Sequence, residues 1–144
     1  MTTTPGPTIS NPEDDPAEGH GGQPIVCVIT TESDAARAEQ LARALVERRL
    51  AGCVSLLPLS SIYIWEGRLE HSEEVQLLIK TTPTRVDALQ RAVLDLHSYD
   101  TPMWVQWQAQ ASDRYGAWLA QVTAPRGAPP PADADSPGNG DPAG

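Results

Sequence analysis

The chain is poor in cysteine and lysine and has no long apolar run. Two cysteines, Cys27 and Cys53, in 144 residues are too few for the dense disulfide framework that holds small secreted domains together. No charged segment followed by an apolar run opens the chain, so cytoplasmic residence is the expectation. No stretch approaches the ~20 apolar residues of a membrane-spanning helix. Basic residues number 10 against 19 acidic ones, a formal net charge of -9. That balance argues against a nucleic-acid footprint, which needs clustered Lys and Arg to neutralise phosphates, and equally against an anionic membrane surface. Neither C-x-x-C nor H-x-x-x-H spacing occurs, so a preformed metal cage within one chain is not expected. A Gly-rich phosphate cradle is also missing.

What is present is unevenly spread. Eleven of the 14 prolines fall in residues 1–24 and 124–144, mixed with Gly, Asp, Ala and Ser. These two segments carry -4 and -2, leaving only -3 of the total for residues 25–123. Such compositions bury too little apolar surface to offset the entropy of ordering, so both are expected to be disordered tails. The folded unit is then residues 25–123, the size of one small domain.

Within it, Ile25 to Ile29 is an unbroken apolar run suited to a strand buried on both faces near the sheet centre. Thr31 or Ser33 is placed to cap a helix whose apolar set is Ala35, Ala38, Leu41, Ala42 and Leu45, with Arg48 and Arg49 in its last turn and Gly52 as its stop. Residues Cys53 to Trp65 turn β-like, and Pro58 marks a bend or an edge position. Ile62 and Ile64 face one side, Tyr63 and Trp65 the other. Glu66-Gly67 is a tight turn into a second strand in which Val75, Leu77 and Ile79 alternate with Gln76, Leu78 and Lys80, making a long β-hairpin. Thr82-Pro83 reads as the start of a helix striped by Val86, Leu89, Val93 and Leu96. Met103, Val105 and Trp107 alternate in a last strand, and Ser112 caps a short helix with Tyr115, Trp118, Leu119 and Val122.

The order βαββαβ plus a C-terminal helix is that of an α+β, ferredoxin-like (split βαβ) fold, with two helices on one face of an antiparallel sheet. Tyr63, Trp65 and Trp104 are expected on the other face, which self-association through the long hairpin would cover while shielding sheet edges.

Three separated stretches carry a family resemblance. They are Ala42-Arg43-Ala44-Leu45-Val46-Glu47-Arg48-Arg49-Leu50-Ala51-Gly52-Cys53-Val54, Ser61-Ile62-Tyr63-Ile64-Trp65-Glu66-Gly67 and Glu74-Val75-Gln76-Leu77-Leu78-Ile79-Lys80-Thr81. In this order the sequence resembles the CutA divalent-cation-tolerance family over essentially all of residues 25–123. The resemblance implies a homotrimer whose hairpins wrap around neighbouring subunits. It also implies a non-catalytic role in tolerance of divalent cations, copper especially, with no obligatory cofactor. The chain departs from the family pattern at Ser55, where Asn is usual, and at Ser98 and Asp100, where the family has Pro and Glu.

Candidate residues follow. Cys53 offers a soft thiolate suited to Cu(I), or is a small hydrophobe on a sheet. His97, in the polar loop with Tyr99 and Asp100, is a metal ligand or a cap at a helix C-terminus. Lys80, the only lysine, pairs with a carboxylate or receives an anion. Tyr63, Trp65 and Tyr99 are candidates for a ligand site or a subunit seam, and Cys53, His97, Tyr99, Trp65 and Lys80 could converge there from different chains. Cys27 reads as core, His71 as solvated strand, and His20 lies in the tail. A nucleotide or anion sensor of the PII kind, which shares the trimeric architecture, is the alternative reading. An acylphosphatase-like enzyme would need an Arg in the first loop, and Thr30-Thr31-Glu32-Ser33 has none.

Overall fold

The computed structural model describes residues 22–127. Most of both expected tails therefore lies outside the described residues. The elements are β1 (Gln23–Glu32), α1 (Ala35–Glu47), β2 (Cys53–Trp65), β3 (Arg68–Thr81), α2 (Val86–Leu96), β4 (Val105–Ala111) and α3 (Asp113–Val122). They form one four-stranded antiparallel sheet in the order β2-β3-β1-β4, the ferredoxin-like arrangement. β1 is central as its apolar run requires, and β2 is an edge strand, the position where proline is tolerated and one of the two expected for Pro58.

Strand alternation divides the sheet into two faces. Val26 and Val28 of β1 and Val75, Leu77 and Ile79 of β3 meet Leu41, Leu45, Leu89 and Val93 of α1 and α2 in the main core. On the other face α3 lays Leu119 and Trp118 against Ile25, Cys27 and Leu78. That face is thus partly covered within one chain. Trp104, expected there, instead packs against the main core, because it shares the parity of Gln106, which pairs with core-facing Val28. The exposed large apolar side chains of this region are Met103, Val105 and Trp107.

Helix ends also differ from the sequence reading. Asp34, rather than Thr31 or Ser33, caps α1, its carboxylate accepting from the Arg37 N–H at 2.8 Å. α1 stops at Arg48 and Arg49, the latter at φ 59°, with the Leu50 N–H returning to the Leu45 carbonyl at 3.0 Å. Gly52 serves packing instead: a Cβ there would collide with Leu119 and Val122 of α3. α2 begins at Val86 after a turn over Thr82-Pro83-Thr84-Arg85, and Leu96 at its end is exposed. Ser112 caps α3, accepting from the Tyr115 N–H at 3.3 Å.

β2 and β3 pair continuously from Cys53↔Lys80 to Trp65↔Arg68. The two-residue loop Glu66-Gly67 has φ 51° and 77°, the positive values a primed hairpin turn requires. Glutamate is a poor occupant of the left-handed region. Replacing Glu66 with Asn is expected to stabilise the hairpin by about 1 kcal/mol, read as a raised denaturation midpoint with an unchanged denaturant slope.

Candidate functional site

The hairpin extends past the end of β1, and the loop after α2 rises to meet its underside. Between them lies a cavity of about 620 Å³ whose lining includes Thr31, Tyr63, Trp65, Glu74, Tyr99 and Met103. Three of the residues singled out in the sequence, Tyr63, Trp65 and Tyr99, therefore meet in one place. β2 supplies the first two on its odd-numbered face, and β3 supplies Glu74 from the matching face.

Glu74 anchors the floor. It is only 9% exposed, and its Oε1 accepts the Tyr99 hydroxyl at 3.0 Å and the Thr31 hydroxyl at 3.5 Å. Burial raises the Tyr99 phenol well above its ordinary value, and the hydrogen bond to the Glu74 carboxylate and its charge raise it further, so the phenol stays a donor. Behind Tyr99 sits a second buried carboxylate. Glu32, 2% exposed, accepts from the Ser33 N–H at 3.1 Å, the Ser98 N–H at 3.1 Å and the Ser98 hydroxyl. Burial pushes the Glu32 carboxyl up, but the Ser98 and Ser33 hydrogen bonds and the neighbouring His97 outweigh it and hold the group below its ordinary value.

His97, expected to offer a ring nitrogen from a polar loop, is buried with both nitrogens engaged. Nδ1 accepts from the Tyr99 N–H at 3.0 Å, and Nε2 lies 2.7 Å from the Thr31 carbonyl, to which it donates. Held at both nitrogens, the ring fixes the loop. His97 also stacks on Tyr99, with ring centroids 4.9 Å apart. Its work is to aim Tyr99 at Glu74.

Cys53 and Lys80 form a separate cluster at the other end of the sheet. Lys80 lies in register with Cys53 on one side and Cys27 on the other, and its Nζ sits 5.6 Å from the centroid of the Tyr115 ring. Burial, set partly against the Lys80 charge, raises both the Cys27 thiol and the Tyr115 phenol. Thr31, which His97 holds, pairs with Gln76, four residues from Lys80 and so ~13 Å along the strand. Within one chain Cys53 and His97 do not share a site. Among the described residues no three His, Cys, Asp or Glu side chains cluster as a metal set.

Sequence reasoning missed Glu74, Glu32, Tyr115 and Met103 as site residues. Glu74 did carry a signal: a carboxylate on the same strand face as Gln76 and Leu78, which are partly covered by the sheet's neighbours. Glu32 carried none, because two of its three hydrogen bonds come from Ser98, which is 66 residues away.

Fold and cavity together define a small ferredoxin-like α+β protein with an elongated hairpin and an aromatic cavity at its root. Residues 26–122 match the family model described as CutA1 divalent ion tolerance protein. The chain belongs to that family. A divalent-cation tolerance protein CutA from Pectobacterium atrosepticum is 43% identical over 96 residues, covering 65% of this chain and 87% of that protein. The solved structure of CutA from Synechococcus elongatus superposes with a TM-score of 0.70 at 34% identity, covering 72% of this chain and 94% of that one. The structure titled periplasmic divalent cation tolerance protein CutA from Archaeoglobus fulgidus gives 0.67 at 26% identity, covering 69% and 98%.

Proposed function

We propose that this protein takes part in divalent-cation tolerance as a non-catalytic homotrimer, with Cys53 as its soft metal donor. The name of the Pectobacterium relative, divalent-cation tolerance protein, supports the role. The observation that carries the assembly is the apolar surface left bare by one chain. Ile62 (72%), Ile64 (66%) and Leu69 (73%) are exposed along the hairpin, and Val105 and Trp107 are exposed on edge strand β4. These lie on opposite edges of the sheet and on opposite faces, and exposed apolar surface at two such places marks two association surfaces, as a closed ring of copies requires. Copies docked there would also pair or cover the edges of the sheet.

Copper is the metal the chemistry favours, since the sulfur of Cys53 suits a soft ion such as Cu(I). Among the described residues no full ligand set clusters in one protomer, so further donors come from neighbouring copies. Both cysteines are free thiols, and this supports residence in the reducing cytoplasm. No helix among the described residues is long and apolar enough to cross a membrane. The cavity has no basic lining residue, which disfavours the nucleotide or anion sensor.

A copper titration tests the metal assignment. Cys53→Ser is expected to weaken binding at least tenfold. His97→Ala, whose ring nitrogens are already engaged, should leave affinity unchanged. Equal affinities for wild type and Cys53→Ser would remove Cys53 from the site.

A further inference from the structure

The cavity beneath the hairpin plays no part in the copper reading, and its lining specifies what it would hold. Its charged residues are Glu74 and Asp100, with no Lys or Arg among them. Both hydroxyl hydrogen bonds to Glu74 end on Oε1, and Oε2 has no hydrogen-bond partner among the described residues. A carboxylate that is nine-tenths buried and keeps an unpaired oxygen can accept a charge-assisted hydrogen bond from a cationic donor. The surrounding walls include Tyr63, Trp65 and Tyr99, aromatic rings of the kind that attract positive charge, and Met103 adds a polarizable thioether.

These features exclude two ligand classes. An anion would face two carboxylates with no compensating cation. A hard divalent ion wants about six oxygen ligands in a close shell, whereas a space of about 620 Å³ lies within the ~300–1,000 Å³ typical of small organic ligands. We propose that this cavity binds a small organic ammonium ion, whose N–H groups donate to Glu74 Oε2 while its apolar body rests against Trp65 and Tyr63.

The site is built from one chain and does not rest on the copper assignment. A protein that binds copper through Cys53 but no ammonium would overturn this inference and leave the other standing.

The test uses the full chain at neutral pH and three probes of similar size: phenethylammonium, its neutral counterpart 2-phenylethanol, and anionic 3-phenylpropionate. Binding is followed by amide chemical shifts and calorimetry. Phenethylammonium should bind at least tenfold more tightly than the alcohol, and the carboxylate should not bind. Shifts should centre on Tyr63, Trp65, Tyr99 and Met103. Glu74→Gln should weaken the ammonium at least tenfold while leaving the alcohol within threefold. Should Glu74→Gln fail to fold, Trp65→Ala at the half-exposed end of β2 should weaken both the ammonium and the alcohol. Equal affinity for ammonium and alcohol, an ammonium affinity untouched by either substitution, or no binding of any probe would overturn the proposal.

Discussion

Replacing Glu32 with Ala should destabilise the domain by about 3 kcal/mol, because the substitution removes a buried carboxylate that ties two N–H donors and a hydroxyl together through charge-assisted hydrogen bonds. Its partners are Ser33, next in sequence, and Ser98 in the loop after α2, with His97 at 3.7 Å. For a folded unit near 100 residues this corresponds to a fall in Tm of roughly 12–24 °C. Glu39→Ala is the control. Glu39 pairs with Arg43 at 2.8 Å, but both side chains are more than half exposed, so its loss should cost under ~0.5 kcal/mol. Both are measured by denaturant unfolding at one protomer concentration, since assembly makes stability concentration-dependent.

The same carboxylate sets an acid limit. Its folded value lies below the ordinary 4.5, so the folded state binds the proton less readily than the unfolded chain. Stability from Glu32 is then fully present above about pH 5 and is lost as pH falls through the unfolded value toward the folded one. In Glu32→Gln this part of the acid slope should vanish. An unchanged slope would mean the hydrogen bonds to Ser33 and Ser98 do not favour the ionised form.

The second large effect concerns assembly. Ile64 pairs with Leu69 across the hairpin, and Ile62 lies two residues away on the same face. Ile64→Asp would place an unpaired charge in any contact made by that face, costing about 4 kcal/mol per interface, or roughly a thousandfold in association. The variant should sediment as a monomer with its protomer fold intact by circular dichroism. Assembly unaffected by this change would place the subunit contact elsewhere.

The elements that sequence made legible are those whose signals are local. Alternation in Val75 to Ile79, the helical spacing of Ala38, Leu41 and Leu45, and the Glu66-Gly67 turn each depend on neighbours within a few residues, and all stand as read. Trp104 was misplaced because alternation gives two faces but not which face is which. Its side follows from the pairing of Gln106 with Val28, a contact between strands 78 residues apart. The site divides the same way. Tyr63 and Trp65 share a strand face by simple parity, so their meeting was foreseeable. Glu74 and Tyr99 meet only because β3 and the loop after α2 are brought together by the fold, and His97 changes from an apparent ligand to a brace once Thr31 reaches it. Gly52, read as a helix stop, matters for a contact with α3 that lies 67 residues on at Leu119.

The association of three chains is the claim on which the functional reading turns. Equilibrium sedimentation of the full-length protein at micromolar concentration measures it directly. The expected result is a single species at three times the 15.4 kDa chain mass, persisting on tenfold dilution. A species of 15.4 kDa across that range would mean that the exposed hairpin and β4 surfaces face water in the working protein, contrary to the account given.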